Sequence, residues 1–166
     1  RSILDPVLRG EYPTELLERF AGVFPSVREA DLRTIAVPLD FLGVNYYTRS
    51  VVRAGKPAEG STELVGSEFV ERVDRGLPKT EMGWEIDPQG LYDTLFRLHS
   101  DYPPVPLYVT ENGAAMPDGV AADGGVHDQG RVDYLDAHIR SAHRAIEDGV
   151  DLRGYFVWSM LDNFEW

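Results

Sequence analysis

Pro106-Leu107-Tyr108-Val109-Thr110-Glu111-Asn112-Gly113 is a short apolar, aromatic and β-branched run that stops at a carboxylate, an amide and a glycine. A parallel strand buried on both faces reads as such a nearly continuous apolar run. The charge at its end then sits where the chain leaves the sheet, at the C-terminal rim. Ligands bind along that rim in α/β proteins, and in (β/α)8 barrels the chemistry is done there. Glu111 is therefore a candidate catalytic carboxylate. The plain alternative is a strand-end glutamate solvated in an ordinary loop.

The flanks of this strand have the pattern of crossover units. Upstream, Asp87 followed by Pro88 marks a helix start, a capping residue with proline at the first helical position. Leu91, Leu95 and Leu98 recur at i, i+4 and i+7, and Pro103 and Pro104 end the helix. Downstream, a glycine-rich loop runs to about Asp128. Val132, Leu135, Ile139, Ala142 and Ile146 then trace one apolar stripe closed by Gly149. A third strand is expected over Gly154 to Trp158, leading into Ser159 through Trp166. Farther upstream, Phe41 to Tyr47 reads as another strand with Asn45 near its exit. Residues 1–40 read mostly as helix, with Thr14 capping a segment through Phe20. Ser26 and Glu29, three apart, have capping-box spacing for a segment ending near Ala36. The Gly-, Pro- and Glu-rich stretch from Thr48 to Trp84 is a long connection on the same rim, either functional or disordered.

Strand, loop, helix, strand, loop, helix, strand is the alternation of βαβ units, and right-handed crossovers put all three strand exits on one side. Asn45 with Tyr46 and Tyr47, Glu111 with Asn112, and Trp158 through Trp166 are thereby expected to converge. The totals fit one domain with a real core: 166 residues, 43% hydrophobic and 27% charged. A net charge of −12 argues against binding nucleic acid or anionic membrane through bulk electrostatics. With no cysteine there is no disulfide, thiolate nucleophile or zinc–thiolate site, a composition compatible with a cytoplasmic location. His99, His127, His138 and His143 lack metal-site spacing, so no metal is expected and surface or packing roles are. No apolar run reaches membrane-spanning length. The abrupt beginning at Arg1 and end at Trp166 lead us to expect a single-domain piece, residues 1–166, of a longer protein.

A rim rich in carboxylate, amide, phenol and indole suits sugars. Aromatic faces stack on the apolar faces of sugar rings, while Asn and Glu bond to hydroxyls. Glycoside hydrolysis needs two carboxyl groups, and in retaining enzymes about 5–5.5 Å separates the attacking carboxylate from the acid that protonates the departing oxygen. Glu111, at a rigid strand end, fits the attacking role, and a phenol such as Tyr47 could orient it by donating a hydrogen bond.

Three segments, Thr110-Glu111-Asn112-Gly113 with its preceding strand, Phe41 to Thr48, and Trp158 to Trp166, resemble glycoside hydrolase family 1. They occur in the family's order, and the likeness covers essentially the whole chain. The resemblance implies part of a (β/α)8 barrel, roughly strands six to eight, and hydrolysis of terminal β-D-glucosyl residues without a cofactor. It implies that Glu111 is the nucleophile and Tyr47 its hydrogen-bonding partner, with Asn45 lining the glycone site. Trp158 resembles the platform under the sugar, Glu165 the carboxylate gripping its outer hydroxyls, and Trp166 an indole N–H donor beside it. Trp84 is similar to a position near the aglycone entrance. A carboxylate at residue 165 repels a phosphate at short range, so an unphosphorylated β-glucoside or short cello-oligosaccharide is the expected substrate. Galactosides and fucosides come second.

The family's acid/base glutamate lies in an Asn-Glu-Pro motif, and no such tripeptide occurs here. A (β/α)8 barrel takes about 250 residues, so the expected partner is the missing N-terminal part of the barrel, and the 166 residues alone are expected to be inactive. Two other classes stay open: a non-catalytic sugar-binding module of the same fold, and, ranked far below, an α/β protein with a phosphate or nucleotide site. The latter lacks a P-loop or dinucleotide fingerprint.

Overall fold

The computed structural model describes residues 1–23, 26–56, 69–161, 163 and 165. In chain order its elements are α1 (Leu4–Arg9), α2 (Thr14–Arg19), α3 (Glu29–Ile35), β1 (Leu42–Asn45), β2 (Val52–Ala54), β3 (Val70–Arg72), α4 (Pro88–Asp101), β4 (Leu107–Glu111), α5 (Gln129–Glu147) and β5 (Leu152–Tyr155). β1, β4 and β5 form one sheet in the order β1-β4-β5, and both pairings are parallel. Parallel neighbours need a crossover, and α4 and α5 supply it. The result is two successive βαβ units. β2 and β3 pair antiparallel as a separate small ribbon inside the Thr48–Trp84 connection, while residues 57–68 of that connection lie outside the described residues.

The start of α4 follows the reading of Asp87-Pro88. The Asp87 side chain accepts from the Gly90 N–H at 3.1 Å, and Pro88 occupies the first turn, where its missing N–H costs nothing. Leu91, Leu95 and Leu98 turn inward and meet Val44, Leu107, Val109, Ala142, Ala145 and Val150 in one core between the sheet and the two helices. Removing these side chains from water is the main stabilising term, about 25 cal/mol per Å² of apolar surface.

Four expectations shift. On α5 Ala142 is buried as expected, but the rest of the buried face is Tyr134, His138, Ser141 and Ala145. Val132, Ile139 and Ile146 instead remain 57%, 49% and 47% exposed. The apolar spacing was helical, but close packing against α4 selects the small alanines and a stacked Tyr134–His138 pair with ring centroids 3.9 Å apart. The third strand covers Leu152–Tyr155 and shares only Gly154 and Tyr155 with the expected span. Beyond Tyr155 the N–H groups of Phe156 and Trp158 still bond to Val109 O and Asn112 O, at 2.8 and 3.0 Å. The regular ladder stops because β4 ends at Glu111. α3 begins at Glu29 with Arg28 as its cap residue, not Ser26, and the reciprocal partner is Asp31, whose carboxylate accepts from the Arg28 N–H at 3.1 Å. Thr14 lies inside α2, whose cap is Pro13 with no side-chain bond.

Candidate active site

The exit end of β4 carries a β-bulge. Val44 pairs with Val109, but the next residue of β1, Asn45, pairs with Glu111, leaving Thr110 as the extra residue. Side chains alternate along a strand, so Leu107 and Val109 face the helices and Tyr108 faces away. Without the bulge Glu111 would follow Val109 toward the helices. The inserted residue re-phases the alternation, a common use of bulges beside sites. Thr110 and Glu111 thus both face the open side of the sheet. On β1 the phase is simple: Val44 and Tyr46 are buried toward the helices, and Gly43, Asn45 and Tyr47 face the other way.

Two contacts mark this open side. The Thr110 hydroxyl donates to Asn45 Oδ1 at 2.6 Å. The Tyr47 hydroxyl donates to Glu111 Oε2 at 2.6 Å, across 64 residues of chain. The Tyr47 phenol is pushed above its ordinary range by burial first, then by its bond to Glu111 and the negative charges of Glu111 and Glu165. Tyr47 therefore stays a proton donor at any ordinary pH. The ring of Trp84 packs on that of Tyr47, with centroids 5.6 Å apart.

Asn112, the residue after Glu111, swings back toward the helices and is fully buried. Its Nδ2 donates to Tyr46 O at 2.7 Å and to the Tyr134 hydroxyl at 3.1 Å, and its Oδ1 accepts from the Tyr155 hydroxyl. Tyr134 in turn donates to Tyr47 O at 3.3 Å. One amide thus ties the exits of all three strands to α5. Gly113 follows because nothing larger fits: a Cβ there would lie 1.8 Å from Trp158 O. This close approach, with the Trp158 N–H bonded to Asn112 O, lays the loop after β5 directly over the loop after β4.

Of the residues singled out from sequence, Glu111, Tyr47, Asn45 and Trp84 come together in direct contact or in adjacent register. Trp158 is joined to this group through backbone beside Glu111, and the residue is 37% exposed. Glu165 is exposed, its N–H bonded to Asn163 Oδ1 at 3.1 Å, and its charge acts on the Tyr47 phenol. Trp166 lies outside the described residues, and Asn163 shapes the last turn. Asn163 Nδ2 donates to Ser159 Oγ at 3.0 Å within that turn. Among the described residues no group of His, Cys, Asp and Glu is arranged to hold a metal ion, and no helix is long and apolar enough to cross a membrane. Sequence reasoning missed the hub role of Asn112. It also missed the ion pairs of Arg75 with Glu85 and Asp87 and of Arg49 with Asp87, on either side of Ile86 beside Trp84. The Asn directly after a strand-end Glu was the only available signal for the first, and the second joins residues too distant in sequence to leave one.

Parallel strands whose polar tips gather at one rim, with helices behind them, are a segment of a (β/α)8 barrel with a carboxylate–phenol pair at its mouth. The profile of Glycosyl hydrolase family 1 matches residues 1–166, and the chain belongs to that family. It is 47% identical to the bifunctional β-D-glucosidase/β-D-fucosidase of Bifidobacterium breve, over 100% of this chain and 38% of that protein. It is also 47% identical to β-glucosidase A of Thermotoga maritima, over 98% of this chain and 35% of that protein. The solved family 1 β-glucosidase from Thermotoga maritima superposes with a TM-score of 0.85 at 46% identity, over 99% of this chain and 35% of that one. The same enzyme has been solved in complex with noeuromycin and with deoxynojirimycin. The chain thus spans little more than a third of the length of these relatives.

Proposed function

We propose that this chain carries the nucleophile half of a retaining β-glucosidase site. The observation that carries it is the 2.6 Å bond from Tyr47 to a Glu111 turned by a bulge onto the open rim. In this reading a Glu111 oxygen attacks the anomeric carbon of a terminal β-glucosyl unit while the bond to the leaving oxygen breaks. An acid outside this chain protonates that oxygen, and water later releases the sugar from Glu111. Tyr47 holds the carboxylate in line. Asn45, Glu165 and Trp166 bond the glycone hydroxyls, Trp158 supports the ring face, and Trp84 borders the leaving group. The carboxylate of Glu165 selects an unphosphorylated glucoside or short cello-oligosaccharide, with fucoside and galactoside as secondary substrates.

The test is a chimera in which residues 1–166 replace the matching segment of the Thermotoga maritima β-glucosidase A. It is expected to cleave a nitrophenyl β-glucoside and to be labelled on Glu111 by a 2-fluoroglucoside. Sugar binding with neither cleavage nor label would favour a non-catalytic sugar-binding module instead.

A further inference from the structure

Trp84 sits in no regular element. It hangs in a tight turn in which Gly83, at φ +71°, reverses the chain. The turn is closed by Thr80 N–H to Trp84 O at 2.9 Å and Ile86 N–H to Pro78 O at 2.8 Å. Among the described residues, an isolated antiparallel bridge between Lys79 and Glu85 is its one link to extended structure. Its anchor is electrostatic. Arg75, just past β3, donates to Glu85 twice, from its backbone N–H at 2.7 Å and from Nε at 2.8 Å. Its Nη1 reaches Asp87 Oδ2 at 2.8 Å. The same Asp87 oxygen accepts from Arg49 Nε at 2.8 Å, while Asp87 Oδ1 caps α4. Thr48, next to Tyr47, donates to Glu85 O at 2.8 Å. Burial works against the charges of Glu85 and Asp87, yet the arginine bonds outweigh it and leave both carboxyls below their ordinary range.

Arg75 therefore grips the two residues flanking Ile86, and through Glu85 it fixes the ring of Trp84 against Tyr47. Trp84 also lines a 210 Å³ cavity with Thr48, Ser50, Arg72 and Lys79. None of Asn45, Trp158 or Glu165 borders that cavity. Its Trp84 wall packs on Tyr47, whose hydroxyl bonds Glu111, and in the reading above Trp84 borders the leaving group.

We propose that Arg75 is a positioning residue for the leaving-group side: by clamping Glu85 and Asp87 it sets the Trp84 wall against which the departing group rests. This rests on the β-glucosidase reading above. Losing the clamp should then penalise substrates in proportion to the size of their leaving group and spare those whose leaving group is a single atom.

In the chimera, Arg75→Gln is expected to lower kcat/KM for cellobiose roughly tenfold, mainly through KM, and to leave β-glucosyl fluoride within about twofold. Arg75→Lys, which keeps a charge but not the fork, is expected to recover part of the loss. Equal losses on both substrates, or no loss on cellobiose, would overturn the proposal. A second arm needs no activity. In the chain itself, with Trp158→Phe and Trp166→Phe leaving Trp84 as the sole tryptophan, Arg75→Gln should raise acrylamide quenching of its fluorescence, and unchanged quenching would remove the clamp. An unsubstituted chimera that cleaves neither substrate overturns the functional reading instead, and the quenching arm then decides the clamp alone.

Discussion

A carboxylate at a rim becomes useful only when something holds it, and here one phenol does so. Tyr47→Phe in the chimera keeps the ring that packs on Trp84 and deletes only the donor to Glu111. Loss of one such donor is expected to lower kcat roughly 10²-fold with little change in melting temperature, readable from steady-state kinetics beside a thermal melt. His138 offers a test of stability instead. It is fully buried, and because Tyr134 O can only accept, the 2.7 Å contact assigns the ring proton to Nδ1. The other nitrogen, Nε2, has no hydrogen-bond partner among the described residues, and burial depresses the tendency to take up a second proton. The folded pKa is thus below the ordinary 6.5. The unfolded chain then binds the proton first, so stability is full above pH 6.5 and declines as pH falls from there toward the folded value. Urea midpoints across that interval should fall in the parent chain, and His138→Gln should flatten the slope.

At the scale of elements, the parts that could be read in advance are those whose cause is local. The apolar run of β4 ending in Glu111, the Asp87-Pro88 start of α4 and its Leu91-Leu95-Leu98 face all depend on neighbours within a few residues. The bulge at Thr110 could not be read, because it exists only in the register between β1 and β4. The inward face of α5 was misjudged for a similar reason: Val132, Ile139 and Ile146 have helical spacing, yet the choice of face belongs to α4, which accepts alanines and the Tyr134–His138 stack. The contact between Tyr47 and Glu111 was legible in the sequence, and the groups that support it were hidden. Those supports should be costly to remove. Asp87→Ala takes away a helix cap and leaves Arg49 and Arg75 without a shared partner, an expected loss of about 3 kcal/mol or more in chemical denaturation. Gly113→Ala forces Trp158 O away, since no space exists for its Cβ. The loops after β4 and β5 should then part, seen as a change in tryptophan fluorescence.

For the molecule as a whole, the nucleophile and the acid of the proposed reaction do not lie in the same stretch of chain. The 166 residues tested alone should turn over a nitrophenyl β-glucoside far more slowly than the chimera, by roughly 10²–10⁴-fold from the missing general acid alone. A comparable rate from the unaided chain would defeat that expectation. The three-stranded sheet has a consequence of its own. Among the described residues β1 and β5 each pair only with β4, so in the 166 residues tested by themselves the outer backbone of each is open to any extended segment that drifts alongside. Repulsion from a charge of −12 keeps such encounters brief in dilute buffer. Sodium chloride at about 0.5 M shortens the reach of that repulsion to a few ångströms. Light scattering from a concentrated solution should therefore climb as salt is added, and fall again when strand-blocking prolines are placed at either border.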